Sequence, residues 1–146
     1  MNVVTKQELS IRWSDLDPVG HVRHSVYYDF CAQLRMNALA SIGLDIGQMQ
    51  KMAIGPILFK EECSFRREMR FGDSIFVHLE LSGLRKDFSR FAFKHTFIRG
   101  EDEFCAELNV LGAWMDLRQR KLSAPPESFF PHFDSIPKTK DFSFEL

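Results

Sequence analysis

The stretch Trp13–Phe30, WSDLDPVGHVRHSVYYDF, gathers Asp15, Asp17, His21, His24 and Asp29 into eighteen residues. Two kinds of chemistry are open to such a set. Carboxylate oxygens from Asp15 and Asp17 and ring nitrogens from His21 and His24 could converge on a metal. No extended ligand pattern, such as two histidines one helical turn apart, supports that reading, and no metal is expected. The alternative is acid/base or nucleophilic work. Asp17 follows a strand-like run and precedes a helical pattern by about seven residues. A carboxylate there sits beside the free N–H groups of the helix's first turn. Those groups bind anions and polarise carbonyls. A nucleophile or base next to an oxyanion donor is the machinery of acyl transfer. Spacing alone favours a loop in which Asp15 or Asp17 only caps its own turn.

The flanking segments must position these residues. Leu9, Ile11 and Trp13 alternate with Ser10 and Arg12, which predicts a first strand. Pro18 and Gly20 then make a turn. Val26, Tyr27, Phe30, Leu34, Ala38 and Ile42 fall on one stripe at helical spacing, predicting a helix over residues 25–42 closed by Gly43. It should be the one long helix, roughly 27 Å from end to end. Residues 43–56 read as a loop with at most one short helical turn. Four long antiparallel strands joined by short turns should follow: one before the Gly72–Asp73 turn, one alternating through Ile75, Val77, Leu79 and Leu81, one through Phe91, Phe93, His95 and Phe97, and a last in which Gly112 marks a bulge. The fold class is α+β. One helix covers one face of such a sheet, so the rest of its apolar surface or an edge calls for a homo-oligomer.

The chain is 146 residues long, which suits a single domain over 1–146, with a core over about 8–126 and an aromatic, proline-rich tail over 127–146 that packs on its own subunit or a neighbour. Net charge is -1, so no basic field is available for nucleic acid. No basic region with a long apolar run opens the chain, and no run approaches the roughly 20 apolar residues of a membrane span. No membrane partner and a cytoplasmic location are expected. Cys31, Cys63 and Cys105 form no C-x-x-C pair and read as buried free thiols. The 15 phenylalanines imply a large aromatic core with an apolar pocket or interface.

RWSDLDPVGHVRHSVYYDF resembles the active-site signature of the 4-hydroxybenzoyl-CoA thioesterase family, with Asp15, Asp17, Gly20 and Tyr27 at the matching positions. FRREMRFGDSIFV and the two strands after it resemble the rest of that family, so the likeness covers about residues 8–126. The resemblance implies a hot-dog fold: a long central helix wrapped by a curved antiparallel sheet of about five strands. It implies dimers or tetramers with sites at the dimer interface, no cofactor, and hydrolysis of an acyl-CoA thioester. Asp17 would attack the thioester carbonyl or activate the attacking water. The backbone N–H at His24 would polarise the carbonyl oxygen. The His24 side chain would either bond near the acyl group or shape the turn. Gly20, His21 and Tyr27 would line the substrate site, His21 chiefly through a structural hydrogen bond, and Asp15 would form the turn. Arg85, Lys86 and Arg90, or else Arg118, Arg120 and Lys121, would hold the CoA phosphates. Two positions depart from the family: Arg23-His24 stand where many members carry Asn-Asn, and Ala32 where many carry Glu. Three other readings stay open: a thioesterase for acyl groups on carrier protein, a hot-dog protein that binds acyl-CoA without hydrolysing it, and a dehydratase using His24.

Overall fold

The computed structural model describes residues 2–146. In chain order its elements are β1 (Lys6–Glu8), a 3-10 turn (Trp13–Asp15), α1 (Val26–Ser41), α2 (Ile46–Met52), β2 (Ile54–Phe65), β3 (Ile75–Leu84), β4 (Arg90–Arg99), β5 (Glu103–Asp116), β6 (Lys121–Leu122), a second 3-10 turn (Glu127–Phe129), α3 (Phe130–Asp134) and β7 (Lys138–Ser143). One sheet runs in the order β1-β3-β4-β5-β2, with β6 paired to β5 and β7 paired in parallel to β3. The five-strand path agrees with the expected sheet, and the two short strands add to it.

Helix α1 lies where the apolar stripe predicts. It buries Val26, Tyr27, Cys31, Leu34 and Ala38 against the curled sheet. It is not the long central helix expected, because it runs 16 residues, about 24 Å. Ile42 leaves helical geometry and Gly43 follows at φ 90°.

The first strand is displaced from its predicted place. Pairing with β3 ends near Glu8, opposite Phe76. Beyond it the Asp15 carboxylate accepts the backbone N–H of Arg12 at 2.8 Å and its guanidinium at 2.9 Å, which curls Trp13–Asp15 into a 3-10 turn. Local side-chain bonding has overridden the alternation, and Trp13 is left 85 % exposed.

The four long strands are present, but β2 and β3 are not a hairpin. β2 crosses to pair with β5, and residues 66–74 carry the chain over to β3. Gly112 lies opposite a register shift between Leu58 and Lys60, so the bulge is on β2 and the glycine faces it. A Cβ there would stand 2.4 Å from the Ile57 carbonyl oxygen and 2.6 Å from the Phe91 ring. The tail, which shows no period, folds back on its own subunit. Phe133 and Ile136 are buried, and β7 joins the outer edge of β3 beside β1. Cys31 and Cys105 are buried free thiols, and Cys63 is half-buried. Among the described residues no helix is long and apolar enough to cross a membrane.

Candidate active site

The loop between the 3-10 turn and α1 is clasped by its own backbone. Asp17 N–H donates to the His21 carbonyl at 2.7 Å, and Gly20 N–H donates to the Asp17 carbonyl at 3.0 Å. The Asp17 side chain completes the clasp. Its Oδ1 accepts the N–H groups of Val19 and His21, both at 3.0 Å. Gly20 makes the reversal at φ 85°, where L side chains are strained. Both bonds use one carboxylate oxygen. Among the described residues Oδ2 has no donor of its own.

The clasp is anchored on three sides. Val22 N–H donates to the Met69 carbonyl at 2.7 Å, and His21 pairs with Arg70. Arg23 N–H donates to the Asp15 carbonyl at 2.8 Å. Asp15 itself is fully buried, and the Arg12 guanidinium beside it holds its carboxyl below the usual carboxylate range. The 66–74 segment is fixed in turn. Arg66 and Arg67 N–H both donate to the Cys105 carbonyl at 2.9 Å, and the Arg99 guanidinium donates to the Glu68 carbonyl at 2.8 Å.

Between loop and segment lies a cleft lined by Asp17, His21, His24, Tyr27, Phe65 and the run Arg66–Glu68. Helix α1 points its N-terminus here. Ser25 occupies the N-cap in helical geometry and makes no capping bond; its Oγ accepts Arg23 Nη1 at 2.6 Å. Val26 N–H donates to the Arg23 carbonyl at 3.1 Å, whereas the His24 N–H has no acceptor among the described residues, and the positive end of the helix dipole lies at the cleft. The His24 side chain is exposed and Tyr27 is buried. The Tyr27 ring stands edge-on to Phe65 at 4.9 Å and Phe97 at 5.0 Å, and burial pushes its hydroxyl up to about 12. Tyr27 thus forms the floor of the cleft.

The structure brings Asp17, Gly20, His21, His24 and Tyr27 together. It does not bring Arg85, Lys86 and Arg90 to them within one subunit. Arg85 and Lys86 sit in the β3–β4 connection and Arg90 opens β4, at the far end of β3 from the cleft and roughly 33 Å away along ten residues of strand. Arg85 faces Asp87 at 3.9 Å, and the Arg90 guanidinium lies over the Phe59 ring at 5.4 Å. Arg118 and Arg120 occupy the turn after β5 and Lys121 opens β6, a place also remote from the cleft. The nearby cations are Arg66 and Arg67. Sequence reasoning passed over them because their proximity depends on β2 crossing to β5. The doubled arginine at the end of a strand was the only signal available. Among the described residues no group of His, Cys, Asp or Glu is placed to hold a metal.

A second cavity, of about 210 Å³, lies deeper between α1 and the sheet. Met36, Leu39, Leu79, Phe93, Trp114 and Phe133 line it, and Arg35 is its one charged group. Pro56 and Leu58 of β2 form its outer wall.

Residues 11–133 match the family model of the thioesterase-like superfamily, and the chain belongs to that superfamily. An acyl-acyl carrier protein thioesterase of Arabidopsis thaliana is 28 % identical over 129 residues, covering 86 % of this chain and 67 % of the relative. The fold is that of hot-dog thioesterases. A Staphylococcus aureus protein solved in complex with CoA superposes with a TM-score of 0.83 at 17 % identity, covering 96 % of this chain and 90 % of that one. A 1,4-dihydroxy-2-naphthoyl-CoA thioesterase from Synechocystis superposes with a TM-score of 0.79 at 17 % identity, covering 90 % and 96 %. The narrower likeness to the 4-hydroxybenzoyl-CoA enzymes stays a resemblance of motif.

Proposed function

We propose that the protein hydrolyses an acyl thioester, with CoA as the thiol carrier and Asp17 as the working carboxylate. The observation that carries this reading is the shared cleft: a carboxylate with one oxygen fixed by two N–H bonds faces a helix N-terminus that no side chain caps. The thioester oxygen would accept from the N–H groups around His24, which stabilise the charge of a tetrahedral intermediate. Asp17 would either add to the carbonyl carbon, giving an anhydride that water then opens, or take a proton from the water that adds. In both routes the C–S bond breaks, water supplies the new acyl oxygen, and the thiolate takes up a proton as it leaves. Arg66 and Arg67 stand nearest for the CoA phosphates.

The unit that does this would be a homodimer. β2 is an edge strand of 12 residues that leaves Leu58, Phe59 and Phe65 exposed. Such an edge invites a second copy. In a two-fold antiparallel pairing, the start of one β2 meets the end of the other. The apolar cavity behind Pro56 and Leu58 would then adjoin the partner's Phe65 and Asp17 cleft. The same pairing would carry Arg90, stacked on Phe59, towards that cleft, which restores a phosphate role for Arg85, Lys86 and Arg90 across the interface.

A second reading takes acyl carrier protein as the thiol carrier. The name of the Arabidopsis relative supports it. So do Arg66 and Arg67 in the cleft lining, with the exposed Phe71 a few residues on in the same segment. Thiol release from a panel of acyl-CoAs, run beside the same acyl groups on carrier protein, separates the two. Loss of turnover by orders of magnitude in a folded Asp17→Asn protein supports the hydrolase reading. Tight binding of CoA esters with no thiol release by wild type points to a binding protein, and dehydration of a hydroxyacyl ester points to a dehydratase.

A further inference from the structure

The apolar cavity contains a polar device that thioester hydrolysis does not need. Arg35 projects from α1 into it with its side chain only 12 % exposed. Its Nη1 lies 2.9 Å from Nε2 of His95, and its Nη2 lies 3.5 Å from Glu61 Oε1. His95 is fully buried, and its Nδ1 lies 3.1 Å from the His78 carbonyl oxygen. A guanidinium only donates and a carbonyl only accepts. His95 therefore carries its proton on Nδ1, gives it to His78, and accepts Arg35 at Nε2. Burial first, then the Arg35 charge, pushes the ring down to about 3, so it stays neutral.

A neutral ring oriented in this way places Arg35 but does not balance its charge. Glu61 balances it weakly, at the limit of contact and from an exposed position on β2. A guanidinium has five N–H donors. Among the described residues two of its nitrogens find acceptors. Arg35 is also the one charged group on the wall of a cavity whose other lining residues are aliphatic, aromatic or thioether. A buried cation in such surroundings is costly unless an acceptor meets it.

We propose that Arg35 is a specificity-determining residue, and that the acyl group accepted carries an acceptor oxygen (hydroxyl, keto or carboxylate) on an otherwise apolar body. This rests on the thioesterase reading for the identity of the ligand. His95 is a positioning residue, acting through Arg35.

The test compares octanoyl-CoA, a hydroxyoctanoyl-CoA and suberyl-CoA, which share a chain length and differ in oxygen. Wild type should favour an oxygenated ester by tenfold or more in kcat/KM. Arg35→Met should abolish that preference while still turning over octanoyl-CoA. His95→Gln, whose amide oxygen can accept from Arg35, should keep the preference, and His95→Leu should lose it. Should Arg35→Met fail to fold, Glu61→Gln serves: it removes the competing negative charge beside Arg35 and should raise the preference for suberyl-CoA. Equal kcat/KM for all three esters in wild type, or a preference unchanged in folded Arg35→Met, overturns the proposal. Equilibrium binding of the three esters to Asp17→Asn protein reads the same preference without turnover. Absence of thiol release from wild type therefore counts against the hydrolase alone, whereas equal binding counts against Arg35.

Discussion

Asp17 and His21 hold each other twice. The backbone N–H of Asp17 donates to the His21 carbonyl at 2.7 Å, and the His21 N–H returns to Asp17 Oδ1 at 3.0 Å. The carboxylate is thus aimed by main chain, and the imidazole of His21 takes no part in the clasp. His21→Ala should keep kcat within a fewfold of wild type. Gly20→Ala should cost about 1–2 kcal/mol in stability, since φ 85° strains any Cβ, and should lower kcat by misaiming Asp17. Chemical denaturation beside initial rates checks both; a Gly20→Ala protein with full stability and rate would mean that the turn is not under constraint.

Asp15 supports that clasp from beneath. Asp15→Ala removes the acceptor for the Arg12 N–H and guanidinium, and should cost about 1–2 kcal/mol, as lost caps do. The folded carboxyl sits below its unfolded range, so its stabilisation is present above the unfolded value near 3.9 and fades as pH falls through the lower folded one. An acid titration of stability should show wild type losing this increment below about pH 4, and Asp15→Asn lacking it.

His95 governs a different part of the pH range. Its folded value of about 3 lies beneath the unfolded value near 6.5. Its neutral form therefore stabilises the protein fully above pH 6.5, and that stability drains away as pH falls towards 3. The slope should approach about 1.4 kcal/mol per pH unit between those limits. His95→Gln should flatten stability across this window. An unchanged slope in that variant would assign the acid sensitivity to another group.

Much of this architecture could be read before any coordinates. The period of Val26, Tyr27, Phe30, Leu34 and Ala38 located α1, because packing on a sheet enforces the stripe. Asp17 is singled out by the resemblance of its motif, with the Pro-Gly turn and the helix after it as support. The elements misread have two causes, a local side-chain bond that outcompetes a strand pattern and pairings decided far along the chain. Leu9–Trp13 alternates like a strand but yields to the Arg12–Asp15 turn. Strand β7 pairs in parallel at an edge and so has no regular face to display. The crossing of β2 to β5 is decided by the whole sheet, and with it the proximity of Arg66 and Arg67 to Asp17. Arg35 and His95 are 60 positions apart, and each alone looks ordinary.

The two arginines after β2 offer a direct check on how the thiol carrier is held. Arg66→Ala and Arg67→Ala should each raise KM roughly tenfold, the scale of one lost hydrogen bond to a charged group, with kcat little changed. Added salt should reduce the difference between variants and wild type. If Arg90→Ala raises KM as much, the phosphates are held across two subunits.

The exposed β2 edge predicts the assembly. Phe59→Lys sets a second cation beside Arg90 at the centre of the edge and should convert dimers into monomers in sedimentation. Activity should fall with the dimer fraction. A variant of unchanged mass would locate the interface elsewhere.

The way β1 and β7 share the outer side of β3 has one more consequence. Between them they blunt that margin with short strands, so β2 is the one long margin left open among the described residues. A sheet of this kind has a valence of one. In the proposed dimer, joining through β2 would use up the open margin of both partners, so sheet growth along that margin would halt at two copies and a strand rich in exposed phenylalanine need not seed a fibre.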